Sequence, residues 1–229
     1  MDLREVRYTE EHWELLRTLR DRARKVVETL SQFGLEGWVH GSVARGDVRP
    51  GSDVDVFIPT PVSPHVVDAF MDAAPFEVVG VTAVLPTPRD CVRIKVAMEE
   101  DVEVTFPITP PTDRELEFFD FSGKLTPDSL ERDERVPGVD KRLRMIEPKP
   151  WGHVEYSILG REGEVATKLG VSTQLIHERV RALTRRDKVG VQGVHAKVEG
   201  RPGEPVIELL RELGRRNPKA AEKLSELGV

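Results

Sequence analysis

A chain of 229 residues is long enough to bury a full core and to hold two modest domains. Hydrophobic content of 38% beside 32% charged residues describes a soluble globular protein, and the lack of any apolar run near membrane-span length excludes a helical membrane protein. The net charge of −6 is unevenly spread: residues 160–229 carry 14 Lys and Arg against 10 Asp and Glu, or +4, which leaves −10 elsewhere and permits a nucleic-acid partner without demanding one.

In chain order, the first predicted element is an amphipathic helix from Thr9 to Phe33. Trp13, Leu16, Leu19, Ala23, Val26, Val27, Leu30 and Phe33 recur at three- and four-residue spacing, with Thr9 as N-cap and Gly34 as the stop. A short strand at Trp38 and Val39 then enters a Gly41-Ser42 turn, followed by a small-residue helical piece, Val43-Ala44-Arg45-Gly46. After a Pro50-Gly51 turn comes Ser52-Asp53-Val54-Asp55-Val56-Phe57-Ile58. In a strand, Asp53 and Asp55 share one face while Val54, Val56 and Ile58 line the other. Two neighbouring carboxylates repel unless a cation lies between them, and hard oxygen ligands one strand-step apart suit Mg²⁺. The Gly-Ser turn lets backbone approach a phosphate, and a following helix start points amides toward an anion. A phosphate cradle with a metal pair is equipment for nucleotidyl transfer.

This string resembles the signature of the DNA polymerase β nucleotidyltransferase superfamily, in particular its minimal and archaeal-type members. The residues that carry the resemblance are Gly41, Ser42, Ala44, Arg45, Gly46, Ser52, Asp53 and Asp55. The resemblance implies a third carboxylate on a later strand. Val102-Glu103-Val104-Thr105-Phe106-Pro107 supplies Glu103 where the family usually has Asp, and Asp101 is the fallback. It also implies an NTP substrate and a two-metal site holding Mg²⁺ or Mn²⁺, with Asp53, Asp55 and Glu103 as ligands and catalytic groups. Gly41, Ser42, Arg45 and Ser52 are then the nucleotide-binding residues.

Farther on, Ser63-Pro64 starts a helix to about Ala74, and Phe76 to Leu85 reads as a strand. Cys91 to Met98 and Val102 to Ile108 read as a hairpin. Arg93 and Lys95 share a face there, expected as solvated edge charges unless the register turns them onto Glu103's side. The lone Cys91 is a small core residue. Prolines 107, 110 and 111 mark a boundary, Thr126-Pro127 starts a short helix, and Val139 to Ile146 is another helical candidate.

From Glu162 to Gly190 the chain reads as two helices joined at Gly170, the second capped by Ser172. The Ala-x-x-Leu-Gly-Val-Ser junction resembles the helix-turn-helix of winged-helix regulators, with Val189 to Val198 as the wing. In that reading Thr173, Gln174, His177, Arg181, Arg185 and Arg186 face nucleic acid. Two last helices, from Glu204 and Pro218, complete the chain.

The expected architecture is α+β: a small mixed β-sheet with flanking helices, plus a mostly helical, winged-helix-like C-terminal domain. Its divisions are 1–110 for the nucleotidyltransferase domain, 111–159 for a connecting segment and 160–229 for the helix-turn-helix. No apolar signal segment opens the sequence and no membrane partner is expected, which points to the cytoplasm. Scarce Asn and Gln beside abundant Glu, Arg and Val fit a thermophilic source. The expected activity is Mg²⁺-dependent transfer of a nucleoside monophosphate from an NTP to a hydroxyl acceptor, RNA or protein favoured and a small molecule left open, with release of pyrophosphate. The rival reading is a DNA-binding regulator that senses nucleotide without turnover. A dimer is compatible with either.

Overall fold

The apolar stripe from Trp13 to Leu30 winds the chain into one long helix, and alternating valines lay down the strands that follow it. The computed structural model describes residues 3–189, 194–226 and 228. In chain order its elements begin β1 (Arg4–Arg7), α1 (Glu10–Gln32), β2 (Trp38–His40), α2 (Ser42–Arg45), β3 (Val54–Phe57), α3 (Pro64–Asp72) and β4 (Val78–Leu85). There follow β5 (Arg93–Met98), β6 (Val102–Pro107), α4 (Asp113–Ser122), β7 (Lys124–Leu125), α5 (Pro127–Glu131), β8 (Gly138–Val139), β9 (Arg144–Lys149) and β10 (Gly152–Ser157). The chain ends with α6 (Glu162–Leu169), α7 (Thr173–Val189), β11 (Ala196–Gly200), α8 (Val206–Arg216) and α9 (Pro218–Ser225). No helix among the described residues is long and apolar enough to cross a membrane.

These elements form two compact units that interleave along the sequence. The first comprises residues 1–21, 39–52 and 113–192, the second residues 22–38, 53–112 and 193–229. Residues 160–229 are therefore divided: α6 and α7 belong to the first unit, β11, α8 and α9 to the second.

In the second unit the strand order is β11-β4-β5-β6-β3, with β3 and β6 parallel and the other neighbours antiparallel. One face of this sheet is apolar. Val54, Val56, Val102, Val104, Phe106, Ile94 and Val96 are buried there, as are Val26 and Leu30 of α1, Phe70 of α3 and Leu209 of α8. The Phe70 and Phe106 rings lie 5.1 Å apart between centroids. Asp68 of α3 accepts the Val206 amide (3.0 Å), satisfying an unpaired donor at the start of α8. The alternation of period two puts Asp55, Arg93, Lys95, Glu103 and Thr105 on the opposite face of β3, β5 and β6, beside Ala97 and the buried Phe57.

The first unit holds a four-stranded sheet, β1-β10-β9-β8, and a β2–β7 ladder. Its core joins Val139, Met145, Tyr156 and Ile158 to Val165, Leu175, Ile176 and Leu183 of α6 and α7 and to Phe121 of α4. The helix expected from Val139 to Ile146 is instead the β8–β9 hairpin. Asp140 accepts the amides of Arg142 and Arg144 (both 2.9 Å), and Leu143 takes a left-handed φ of 59°, which no helix tolerates in mid-course. The expected wing is also corrected. Residues 190–193 lie outside the described ones, and β11 pairs antiparallel with β4, from Ala196 opposite Leu85 to Gly200 opposite Val81. A Val-rich sheet edge captures the strand that a wing would have used.

Candidate active site

The carboxylates belong to the polar face of the second unit. The parallel register of β3 and β6 sets Asp55 directly opposite Glu103, both half-buried, with the valines on either side turned into the core. Adjacent strands run about 4.8 Å apart, so the two carboxylates leave their strands side by side. A three-residue turn, Glu99 to Asp101, joins β5 to β6 and puts Ala97 opposite Glu103 and Lys95 opposite Thr105. That register brings Arg93 and Lys95 onto Glu103's face, and β5 lies between β4 and β6, so the expectation of edge charges is overturned. The Lys95 ammonium forms an ion pair and hydrogen bond with the Glu103 carboxylate, each side chain about one-third exposed (38% and 32%). Asp53 stands one residue before the strand begins and is exposed. Asp101 sits in the turn with φ 56°, off the strand face that carries Glu103.

The Gly-Ser turn belongs to the first unit, and its polar groups are largely committed. Gly41 has φ 76° and ψ −142°, a conformation suited to glycine, and its amide donates to the Gly123 carbonyl (3.0 Å). The single-turn α2 follows, closed by Gly46 at φ 97°, whose amide donates to Ser42 O (2.7 Å). Arg45 is buried. Its guanidinium donates twice to Asp47 (3.0 and 3.1 Å) and once to the Ser122 carbonyl (2.6 Å). Buried Arg20 of α1 donates to the carbonyls of Val43 (3.2 Å), Ala44 (3.3 Å) and Glu134 (2.7 Å), tying α2 down from its C-terminal side. Ser52 closes the Arg49–Ser52 turn: its hydroxyl accepts the Arg49 amide (2.8 Å) and its own amide donates to Arg49 O (2.8 Å). Arg45 and Ser52, expected at the nucleotide, thus spend these groups on the protein itself. Arg20 and Asp47 were missed because their partners are carbonyls and a neighbouring guanidinium, which leave no spacing signature.

Residues 20–148, more than half the chain, match the family model for the nucleotidyltransferase domain. The chain belongs to that family. No curated protein and no solved structure matches. The match covers Gly41, Ser42, Asp53, Asp55 and Glu103 and ends before α6. Nucleotidyl transfer is the general activity of such a domain.

Domains of this family commonly work with NTP and divalent cations. In this nucleotidyltransferase domain the paired oxygen donors of Asp55 and Glu103 have the hard-ligand chemistry that Mg²⁺ or Mn²⁺ takes. The fit extends to that pair. Among the described residues, no three His, Cys, Asp or Glu side chains are gathered closely enough to hold an ion.

The residues expected to meet nucleic acid lie on α7, outside the family match. Thr173, Gln174, His177 and Arg181 are exposed, while Leu175, Ile176 and Leu183 face the core; the side chains of Arg185 and Arg186 lie outside the described residues. Gly170, left-handed at φ 67°, makes the bend between α6 and α7. The amino end of α7 is held by α4: Glu117 accepts from both the Ser172 amide and its hydroxyl (2.9 Å for the latter), and Arg114 pairs with Glu178 at 2.8 Å. An acid at that helix start repels a phosphate.

Proposed function

We propose that this nucleotidyltransferase domain moves a nucleoside monophosphate from an NTP to a hydroxyl of RNA or protein and releases pyrophosphate. The observation that carries the reading is the in-register pair of Asp55 and Glu103 on a half-buried polar face, inside the family-matched span. In this reading Asp55 and Glu103 would hold the divalent cation, which would supply charge neutralisation for the triphosphate and for the attacking hydroxyl, while Asp53 stands exposed one residue before β3. Glu103 also takes the acceptor's proton as the new oxygen–phosphorus bond forms and the bond to pyrophosphate breaks.

The rival reading, a DNA-binding regulator, relied on a wing and on the exposed face of α7 entering a groove. Pairing of β11 with β4 and the Glu117 cap weigh against both.

The test is incubation with each α-labelled NTP and Mg²⁺, alone and with cellular RNA or protein. Label on RNA or protein with matching pyrophosphate release is the expected result. A folded chain that transfers no label from any NTP to either acceptor contradicts the proposal.

A further inference from the structure

The strand β11 ends the sheet of the second unit: β4 pairs with one side of it, and the other side is an edge. The His195 amide donates to the Pro86 carbonyl (3.0 Å), which stands opposite it in the β11–β4 register. Hydrogen-bonded and non-bonded positions alternate along an antiparallel pair, so Lys197 and Glu199 turn their backbone groups toward β4. Ala196, Val198 and Gly200 turn theirs outward, and among the described residues no group bonds them there. A row of backbone donors and acceptors left in this way is a template for another strand.

Such edges are commonly blunted by a charge, lysine above all. Lys197 sits in mid-strand, but Glu199 follows it on the same face, both side chains are exposed, and the two are paired with each other. Val198, between them, is buried on the opposite face. There α8 lies against the strand so closely that a Cβ on Gly200 would stand 2.6 Å from Leu209 Cδ2.

The run Ala196-Lys197-Val198-Glu199-Gly200 is self-complementary about a two-fold axis at Val198. An antiparallel copy sets Val198 opposite the partner's Val198, Lys197 opposite the partner's Glu199, and Ala196 opposite the partner's Gly200. The outward backbone groups then meet one another in about six hydrogen bonds. Two ion pairs cross the junction on the polar face, and the valines meet on the apolar one. A slip of two residues in one direction sets lysine against lysine, and in the other glutamate against glutamate, so charge fixes the register.

We propose that a second copy of this chain docks along β11, joining the two sheets edge to edge in a closed two-fold dimer. The proposal stands on the β11 register and is independent of the nucleotidyl-transfer reading.

The experiment is analytical ultracentrifugation of the full chain over a dilution series, with thermal melting as the check on folding. It compares the wild type, Lys197→Glu, Glu199→Lys, the double variant with both substitutions, and an equimolar mixture of the two single variants. The wild type sediments as a dimer. Each single variant places like charges opposite each other twice and loses at least about tenfold in dimer affinity. The double variant and the mixture regain the wild-type dimer, because opposite charges face each other again. A wild type that remains a monomer at about 0.1 mM chain overturns the proposal. So does a dimer that both single variants keep at unchanged affinity, which puts the junction elsewhere. Single variants that dissociate but do not recover on mixing, or in the double variant, overturn it as well.

Discussion

Arg45 and Lys95 are both cations beside a carboxylate, yet they sit in opposite kinds of ground. Around Arg45, in the first unit, the pair with Asp47 is sealed: both side chains are under 10% exposed, and the third guanidinium nitrogen donates to a backbone carbonyl. Around Lys95, in the second unit, the pair with Glu103 is about one-third exposed on the open face of a sheet. A buried pair fixes geometry and leaves nothing for a ligand. A half-exposed pair can be exchanged for one. The family motif therefore spans two jobs: its Gly41–Gly46 part builds a rigid turn, and its Asp55 part, with Glu103 brought in from β6, presents chemistry.

The sharpest way to break this contrast is Arg45→Ala. It strands Asp47 as a buried, unpaired charge and should cost about 3–5 kcal/mol of stability, read from a denaturant midpoint. A loss near zero would mean that the turn does not depend on the pair. Gly41→Ala comes next. Its added Cβ meets nothing within 4 Å, so the cost is backbone strain alone, about 1–3 kcal/mol by the same measurement. Lys95→Met should shift stability by less than about 1 kcal/mol, as partly exposed pairs do. A large stability loss there would erase the distinction between the two regions.

A pH-dependent effect concerns His153 in the first unit, whose Nδ1 meets the Tyr8 hydroxyl at 2.7 Å. Burial holds its pKa below the ordinary histidine value, with Asp47 and Glu155 pulling the other way. A base with a lowered folded pKa is most stabilising when neutral. Its contribution is whole above the unfolded value of about 6.5 and is lost as pH falls below it, by at most about 1.4 kcal/mol per pH unit for one proton. Melting of the wild type should therefore fall more steeply than that of His153→Gln between pH 6.5 and 5. Parallel pH profiles would remove His153 from the account.

What was legible in the sequence was local. The α1 stripe, the Gly41-Ser42 turn and the valine alternation of β3 and β6 each depend on residues within a few positions of one another. The side of the hairpin on which Lys95 falls was not legible, because a one-residue slip reverses it and only the Glu99–Asp101 turn decides the register. The fate of Arg45 was hidden for another reason: Ser122, whose carbonyl it meets, is 77 residues away. The β8–β9 hairpin looked helical because its apolar spacing ignores the Asp140 side chain and the left-handed Leu143. The strand β1 and its partner β10 gave no signal, β1 being four residues long and mostly charged.

The central claim is that chemistry resides on the Asp55–Glu103 face, and Asp55→Asn tests it most directly. The measurement is single-turnover transfer from an α-labelled NTP, taken beside the thermal midpoint of the same preparation. A fall of about a thousandfold or more at an unchanged midpoint is the predicted result, since such catalysis rests on positioned charge. Transfer by Asp55→Asn at the wild-type rate would contradict it.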